Sequence, residues 1–362
     1  MKRAFQLTAL AGAAALTLAA CGSAPEESTG ESNGAAESDF TACIVSDEGG
    51  FDDKSFNQLS FEGAKQAADE LGAEFNEVQS QSETDYQPNV QALVDQGCNT
   101  IVAVGYALSA DTVESANSNP DIDYILVDDA ADNDSDGEKD AENVKPLLYN
   151  TAEAAFLAGY LSAGYSEAGK VGTFGGQPFP TVTIFMDGFK QGVEHYNETK
   201  DADVEVIGYE GGEDGAFTGG FAANETAKTT AKNILDQGVD VILPVGGPVY
   251  QSAIAAIEDS GRDVALVGVD ADFYETDPTT QPYVLTSILK KMDVSTYEAV
   301  LSSGQGSFDP EAYVGTLENE GVGLAPLHDF EDQVDPELVT EVEDLRQQII
   351  DGELEVTSYL DQ

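Results

Sequence analysis

The chain has 362 residues, 41% of them hydrophobic, and its 68 Asp and Glu against 15 Lys and Arg give a formal net charge of −53 at pH 7. That length exceeds one ordinary core and points to two domains. A surface so acidic repels phosphate backbones, which excludes a nucleic-acid polymer as partner; it reads as a solvated, salt-tolerant extracytoplasmic surface, for which a saline habitat would be one cause.

Lys2 and Arg3 precede an apolar run, Ala4 to Leu16, that ends in Leu18-Ala19-Ala20-Cys21. This is the layout of a lipoprotein signal peptide over residues 1–20, cut before Cys21, whose thiol would then carry the lipid (acyl chains such as palmitate). No later apolar run reaches the roughly 20 residues a membrane span needs. The mature chain is therefore expected to be anchored to the outer face of the cell membrane without crossing it. Residues 21–39 are small and acidic, the composition of a disordered tether, and the fold is expected to start near Phe40.

Cys43-Ile44-Val45 begins a buried strand that runs into the acidic, glycine-containing loop Asp47 to Lys54. From Phe56 apolar residues recur at helical spacing up to Leu71, and Gly72 ends them. Strand, loop and helix N-terminus in succession form the place where open α/β sheets bind ligands. Asp47, Asp53, Phe56 and Asn57 fall there. The pattern continues with a strand over 73–78, a helix over 86–96, a strand over 98–104 leading to Gly105-Tyr106, and a strand over 122–127 ending at Asp128 and Asp129. Such alternation predicts a parallel sheet covered on both faces. With strand order 2-1-3, Cys43 and Cys98 open neighbouring strands; they form either a disulfide or two buried thiols. The run 131–143 is an acidic surface loop. It lacks the glutamate a calcium loop requires, having Asn143 at the twelfth position counted from Asp132.

A second cycle follows with a small-residue helix over 151–164, a strand over 170–174 exiting at Gly175-Gly176, a helix over 182–196 and a strand over 204–209. Helix 225–237, strand 239–245 ending at Gly246-Gly247, helix 249–260 and strand 264–270 complete it. The expected architecture is α/β: two lobes with strand ends aimed at a shared cleft, each lobe a parallel sheet with helices on both faces. The run 283–288 is expected to return the chain to the first lobe and 313–317 to take it back, forming a multi-strand hinge. The lobes would then comprise 40–148 with 283–308, and 149–282 with 309–362, the final helix 336–351 docking on the second.

Nothing in the sequence supports catalysis, a metal or a cofactor. His195 and His328 are the only histidines. His195 is expected on a helix surface; no nucleophile elbow and no His/Cys cluster occurs. What the strand ends bring to the cleft is rings (Phe56, Phe221), carboxylates (Asp47, Asp128, Asp270), Asn57, backbone donors near Gly246 and one cation, Lys290. That set suits a flat aromatic ligand bearing hydroxyls. Considered alone, Asp270 could instead cap its own turn, and Lys290 could simply pair with Asp270 or Asp293.

The stretch Ser46 to Gln58, with Asp47, Gly49, Gly50, Asp52, Asp53, Lys54, Ser55, Phe56, Asn57 and Gln58 in register, resembles the opening signature of the basic membrane protein family, bacterial lipoproteins that include the purine nucleoside receptors of ABC transporters. Residues 172–193, 235–247, 267–272 and 285–293 are similar to later blocks of that family. The resemblance implies a two-lobed type I periplasmic-binding-protein-like fold. It also implies a monomeric receptor that captures a nucleoside, of the purine class, and delivers it to an ABC transporter permease. By the motif, Phe56 supplies the first stacking ring and Phe221 the second. The glycine-rich segment 211–220 departs from the family's pattern there and leaves Phe217 as the alternative. Asp47 and Asn57 would accompany Phe56, Asp128 would read the base, and Asp270 and Lys290 would hold the ribose. A receptor for a sugar or other hydroxylated molecule, or a surface adhesin, is the competing expectation.

Overall fold

In the computed structural model, which describes residues 39–361, strand and helix alternate to build two parallel sheets. The signal peptide, Cys21 and nearly all of the tether lie outside the described residues. The first half runs β1 (Thr41–Val45), α1 (Phe56–Leu71), β2 (Glu74–Val78), α2 (Tyr86–Asp95), β3 (Thr100–Val104), α3 (Ser109–Ser118), β4 (Asp123–Val127) and β5 (Val144–Tyr149). The second runs α4 (Thr151–Tyr165), β6 (Lys170–Gly175), α5 (Pro180–Lys200), β7 (Glu205–Ile207), the hairpin β8 (Tyr209–Gly211) and β9 (Asp214–Gly215), α6 (Glu225–Leu235), β10 (Val241–Val245), α7 (Val249–Ser260), β11 (Ala265–Asp270), α8 (Phe273–Thr276) and β12 (Val284–Lys290). The chain ends with α9 (Met292–Gly304), β13 (Tyr313–Gly315), β14 (Val322–Leu324) and α10 (Pro336–Ile350).

The sheet orders are β13-β5-β4-β3-β1-β2 and β14-β12-β11-β10-β6-β7, with every pairing parallel except β12 with β14. The central strands β3 and β10 are buried at every residue, as sheets covered on both faces require. Cys43 and Cys98 are joined by a disulfide, Cα atoms 6.0 Å apart, which ties β1 to the approach of β3.

In the second lobe α4 is buried almost all round, between α5, α10, β12 and β14. Gly192 allows the close α4–α5 approach: a Cβ there would run into the Phe156 carbonyl oxygen. His195, expected on the surface, is half-buried beside the Phe156 and Tyr160 rings, because α4 covers that side of α5.

The expected lobe boundaries need correction. The run over 283–288 does not return to the first lobe: β12 pairs along its length with β11, from Leu266 with Val284 to Asp270 with Leu289. The chain crosses after Lys290, α9 packs on α1 and the first sheet, and β13 pairs with β5. It crosses back over 316–321 to β14 in the second sheet. A buried apolar run looks the same in either sheet, so its pattern could not name its partner. The crossings at 149–151, 290–292 and 316–321 lie together, joined by Asn150 N–H to the Gly315 carbonyl (2.7 Å) and Lys291 N–H to the Gly321 carbonyl (2.9 Å). Among the described residues, no helix is long and apolar enough to cross a membrane.

Candidate functional site

The loop after β1 owes its shape to one carboxylate. Asp53 accepts from the N–H groups of Ser55 (3.0 Å), Asn57 (2.8 Å) and Gln58 (3.1 Å), which are N–H groups that the start of α1 cannot satisfy internally. Asp53 thus holds up the site as a helix cap. It also fixes the Asn57 amide, whose Nδ2 donates to Asp53 (3.1 Å) and to Asp47 Oδ1 (2.8 Å). Asp47 Oδ1 accepts a second bond from Gly49 N–H (2.9 Å).

The strand ends of the two lobes meet this loop. Asp128 follows β4 and Asp270 ends β11, both with left-handed backbone (φ 68° and 66°), which aspartate tolerates better than most residues. Lys290, at the end of β12, is fully buried. Its Nζ lies 2.5 Å from Asp128 Oδ2 and 3.9 Å from Asp270 Oδ1. Three rings surround it: Tyr149 at 5.0 Å, Phe56 at 5.1 Å and Phe185 at 5.6 Å from their centroids. Ser55 Oγ lies 2.9 Å from Asp270 Oδ2 and 3.1 Å from the Val269 carbonyl, and Thr276 Oγ1 donates to the Lys54 carbonyl (3.0 Å), so the two lobes touch.

Between them is a cleft with about 660 Å³ of space not filled by protein atoms, part of it open to solvent. Every ligand residue expected from the sequence borders it: Asp47, Phe56, Asn57, Asp128, Phe221, Gly246, Asp270 and Lys290. The two candidate phenylalanines differ in position. Phe221 borders the cavity beside Gly246, where a Cβ would come within 2.8 Å of its ring, whereas Phe217 packs on Gly175 away from it. Asp128 is bonded to Lys290, which also lies near Asp270.

The sequence reading missed Phe179, Phe185, Tyr86 and Gln177, which also line the cavity. Phe179 makes ring contacts with Tyr106 of the first lobe (5.0 Å) and with Phe221 (5.9 Å). Its place just before Pro180 at the start of α5 was a usable signal. Phe185 lay hidden among the apolar residues of a buried helix. Away from the cleft, the Asp132, Asp134 and Asp136 carboxylates come together in the surface loop, where Asp132 caps its own turn through Asp136 and Gly137 N–H.

Burial dominates the electrostatics. It pushes the Asp47 carboxyl up to about 7, against the donors Gly49 and Asn57. It also pushes Asp270 up to about 6, against the opposing pull of Lys290, and raises Asp128 and Asp53. Four aspartates and one lysine line the cavity. The arrangement can hold hydroxyl and amide donors and can stack flat rings, while it repels a dianion.

Residues 40–359 match the family model described as ABC transporter substrate-binding protein PnrA-like. The chain is 28% identical to the CD4+ T-cell-stimulating antigen of Listeria innocua, over 98% of both chains. It is 27% identical to the ABC transporter nucleoside-binding protein BmpA of Lactococcus lactis, over 99% of both. A solved ABC transporter solute-binding protein of Aeropyrum pernix superposes with a TM-score of 0.77 at 26% identity, covering 88% of this chain and 93% of that one. The chain belongs to the PnrA-like, basic membrane protein family of ABC transporter substrate-binding proteins, with its type I periplasmic-binding-protein-like fold, and is a solute-binding protein rather than an enzyme.

Proposed function

We propose that the interlobe cleft captures a nucleoside, purine above all, and that the closed protein presents it to an ABC importer. The observation that carries this reading is the lining of one cavity by Phe56 from one lobe and Phe221 from the other, with a polar group on either side of Phe56 in the chain: Asn57 bonded to Asp47, and Ser55 bonded to Asp270. We assign the base to the rings and to the Asp47–Asn57 side. The ribose hydroxyls go to Asp270, Lys290 and Asp128, which revises the sequence expectation for Asp128. Carboxylates accept from hydroxyls, and Lys290 has three donors of which one is engaged with Asp128. A monophosphate is disfavoured by four carboxyls against one ammonium. A free base would leave the hydroxyl partners unmatched, which sites built for a hydroxyl penalise strongly.

Opening and closing would turn on the three neighbouring crossings of the chain, and a permease would recognise the closed form. The protein would work as a monomer, held to the membrane through a lipid on Cys21. Cys21→Ala should then appear in the medium; retention on membranes at low and high salt would contradict the anchor. The nucleoside itself is tested by mass spectrometry of small molecules released from protein purified without unfolding. A nucleoside is expected, and a sugar in its place would favour a receptor for hydroxylated solutes.

A further inference from the structure

One set of ring contacts at the cleft plays no part in sandwiching a base between Phe56 and Phe221. Phe179 of the second lobe lies 5.0 Å from the Tyr106 ring of the first lobe and 5.9 Å from that of Phe221, centroid to centroid. All three rings border the cleft, and Tyr106 is 37% exposed, so that this chain of rings reaches the rim. Its backbone supports are constrained. Phe179 precedes Pro180 and takes the extended conformation (φ −76°, ψ 146°) that a following proline favours. Tyr106 follows Gly105, whose φ of 115° a side chain would strain.

Strand order sets how far each of these groups stands from the crossings of the chain. Asp128 and Asp270 lie at the ends of β4 and β11, which neighbour the crossing strands β5 and β12, and Lys290 ends β12 itself. Tyr106 follows β3, one strand beyond β4, and Phe179 follows β6, two strands beyond β11. The cleft therefore has a polar end at the hinge and an outer end where one ring from each lobe meets the other.

Resting on the nucleoside reading above, we propose that Tyr106 and Phe179 form a gate across the outer end of the cleft, and that this gate restricts the site to nucleosides whose base carries no bulky group on its outer edge. The argument is one of direction. The ribose, assigned to Asp270, Lys290 and Asp128, occupies the hinge end. In a purine nucleoside the six-membered ring lies on the far side of the base from the ribose bond, so its substituents point away from the hinge and toward the two rings. An amino or oxo group there leaves Phe179 free to reach Tyr106. A benzyl group would hold the rings apart and keep the lobes from closing. The contact joins the two lobes, so it forms only on closure and acts on release of the ligand rather than on its entry.

The test is surface plasmon resonance on immobilised, ligand-stripped protein, with adenosine, guanosine, N6-benzyladenosine and N2-benzylguanosine as probes. The parent nucleoside should bind at least about tenfold more tightly than its benzyl derivative, the least that excess bulk costs in a filled pocket. Phe179→Ala and Tyr106→Ala should each shrink that ratio. Each should also release the parent nucleoside about two- to about thirteenfold faster, the worth of one ring pair, with association unchanged. The double variant should release it more slowly than the product of the two single effects, because either change alone already removes the pair. Equal affinity for parent and benzyl derivative in the wild type, or a ratio that both variants leave unchanged, overturns the gate and leaves the nucleoside reading intact. Release rates that simply multiply overturn it as well. The wild-type comparison decides alone if the variants do not fold, and no binding of adenosine or guanosine overturns both readings.

Discussion

The two lobes are built to one plan and finished differently. In each sheet the strand order matches element for element, and the equivalent strands β4 and β11 both terminate in an aspartate with a left-handed backbone, Asp128 and Asp270. The matching ends of β5 and β12 carry Tyr149 and Lys290, and here the likeness stops: the ammonium of one lobe sits over the ring of the other. Support differs as well. Both lobes pack a helix pair at glycine contacts, α1 on α9 at Gly63 and α4 on α5 at Gly159 and Gly192, but the first lobe alone carries the Cys43–Cys98 cross-link among the described residues. A repeated frame thus brings acids to the cleft from both sides, and Lys290, at the end of one strand, places a cation between them.

The largest effect should come from removing that cation. Lys290→Met leaves Asp128 and Asp270 facing each other without a counter-charge, and breaking a buried pair on one side costs about 3–5 kcal/mol. The lobes should separate in small-angle scattering and ligand affinity should collapse; unchanged scattering and affinity would remove Lys290 from the account. Next is the staple of the first lobe. Cys43→Ser with Cys98→Ser opens a bridge spanning a sequence separation of 55 and should cost about 2–5 kcal/mol. Scanning calorimetry should show the first lobe melting earlier while the second holds. The complementary change, Gly192→Ala, pushes α5 from α4 and should cost about 1–3 kcal/mol by overpacking, this time from the second lobe. If both changes lower the same transition equally, the lobes do not unfold as separate units.

The smallest effect is a pH dependence of the ligand-free protein. Asp47 and Asp270 have folded-state values raised to about 7 and about 6. The native state therefore binds protons more tightly than the unfolded chain, whose carboxyls titrate near about 3.9. Their contribution to stability is complete below the unfolded value and is lost as pH rises through about 6 and about 7. The melting temperature should climb as pH falls from neutral toward about 5, and less so in Asp47→Asn. An equal climb in both would assign the effect to the surface charge instead.

The central strands of both lobes were legible because each sheet is covered on both faces, which turns a central strand into a short apolar run; β5, the β8–β9 hairpin, β14 and α9 were not read from the sequence. The cleft residues were legible wherever a strand end or a motif marked them: Asp47, Asp128, Gly246 and Asp270. Phe185 was not, since a helix buried on most sides hides its functional face among core residues. The partner of β12 was not legible either, because pairing between strands is a long-range choice that the run 284–290 does not encode locally. The pairing of Lys290 with Asp128 was missed for the same reason, being a contact between residues separated by 162 positions and two sheets.

The central claim, a nucleoside held between the lobes, is tested most directly by titrating the ligand-stripped protein calorimetrically with adenosine, guanosine and inosine, their free bases, their monophosphates and a panel of sugars. One nucleoside should bind per chain, with affinity well above the base and the monophosphate, and Phe56→Ala should weaken it by about 1–3 kcal/mol, the worth of stacking a base on an aromatic ring. Heat from a sugar with none from any nucleoside would contradict the account.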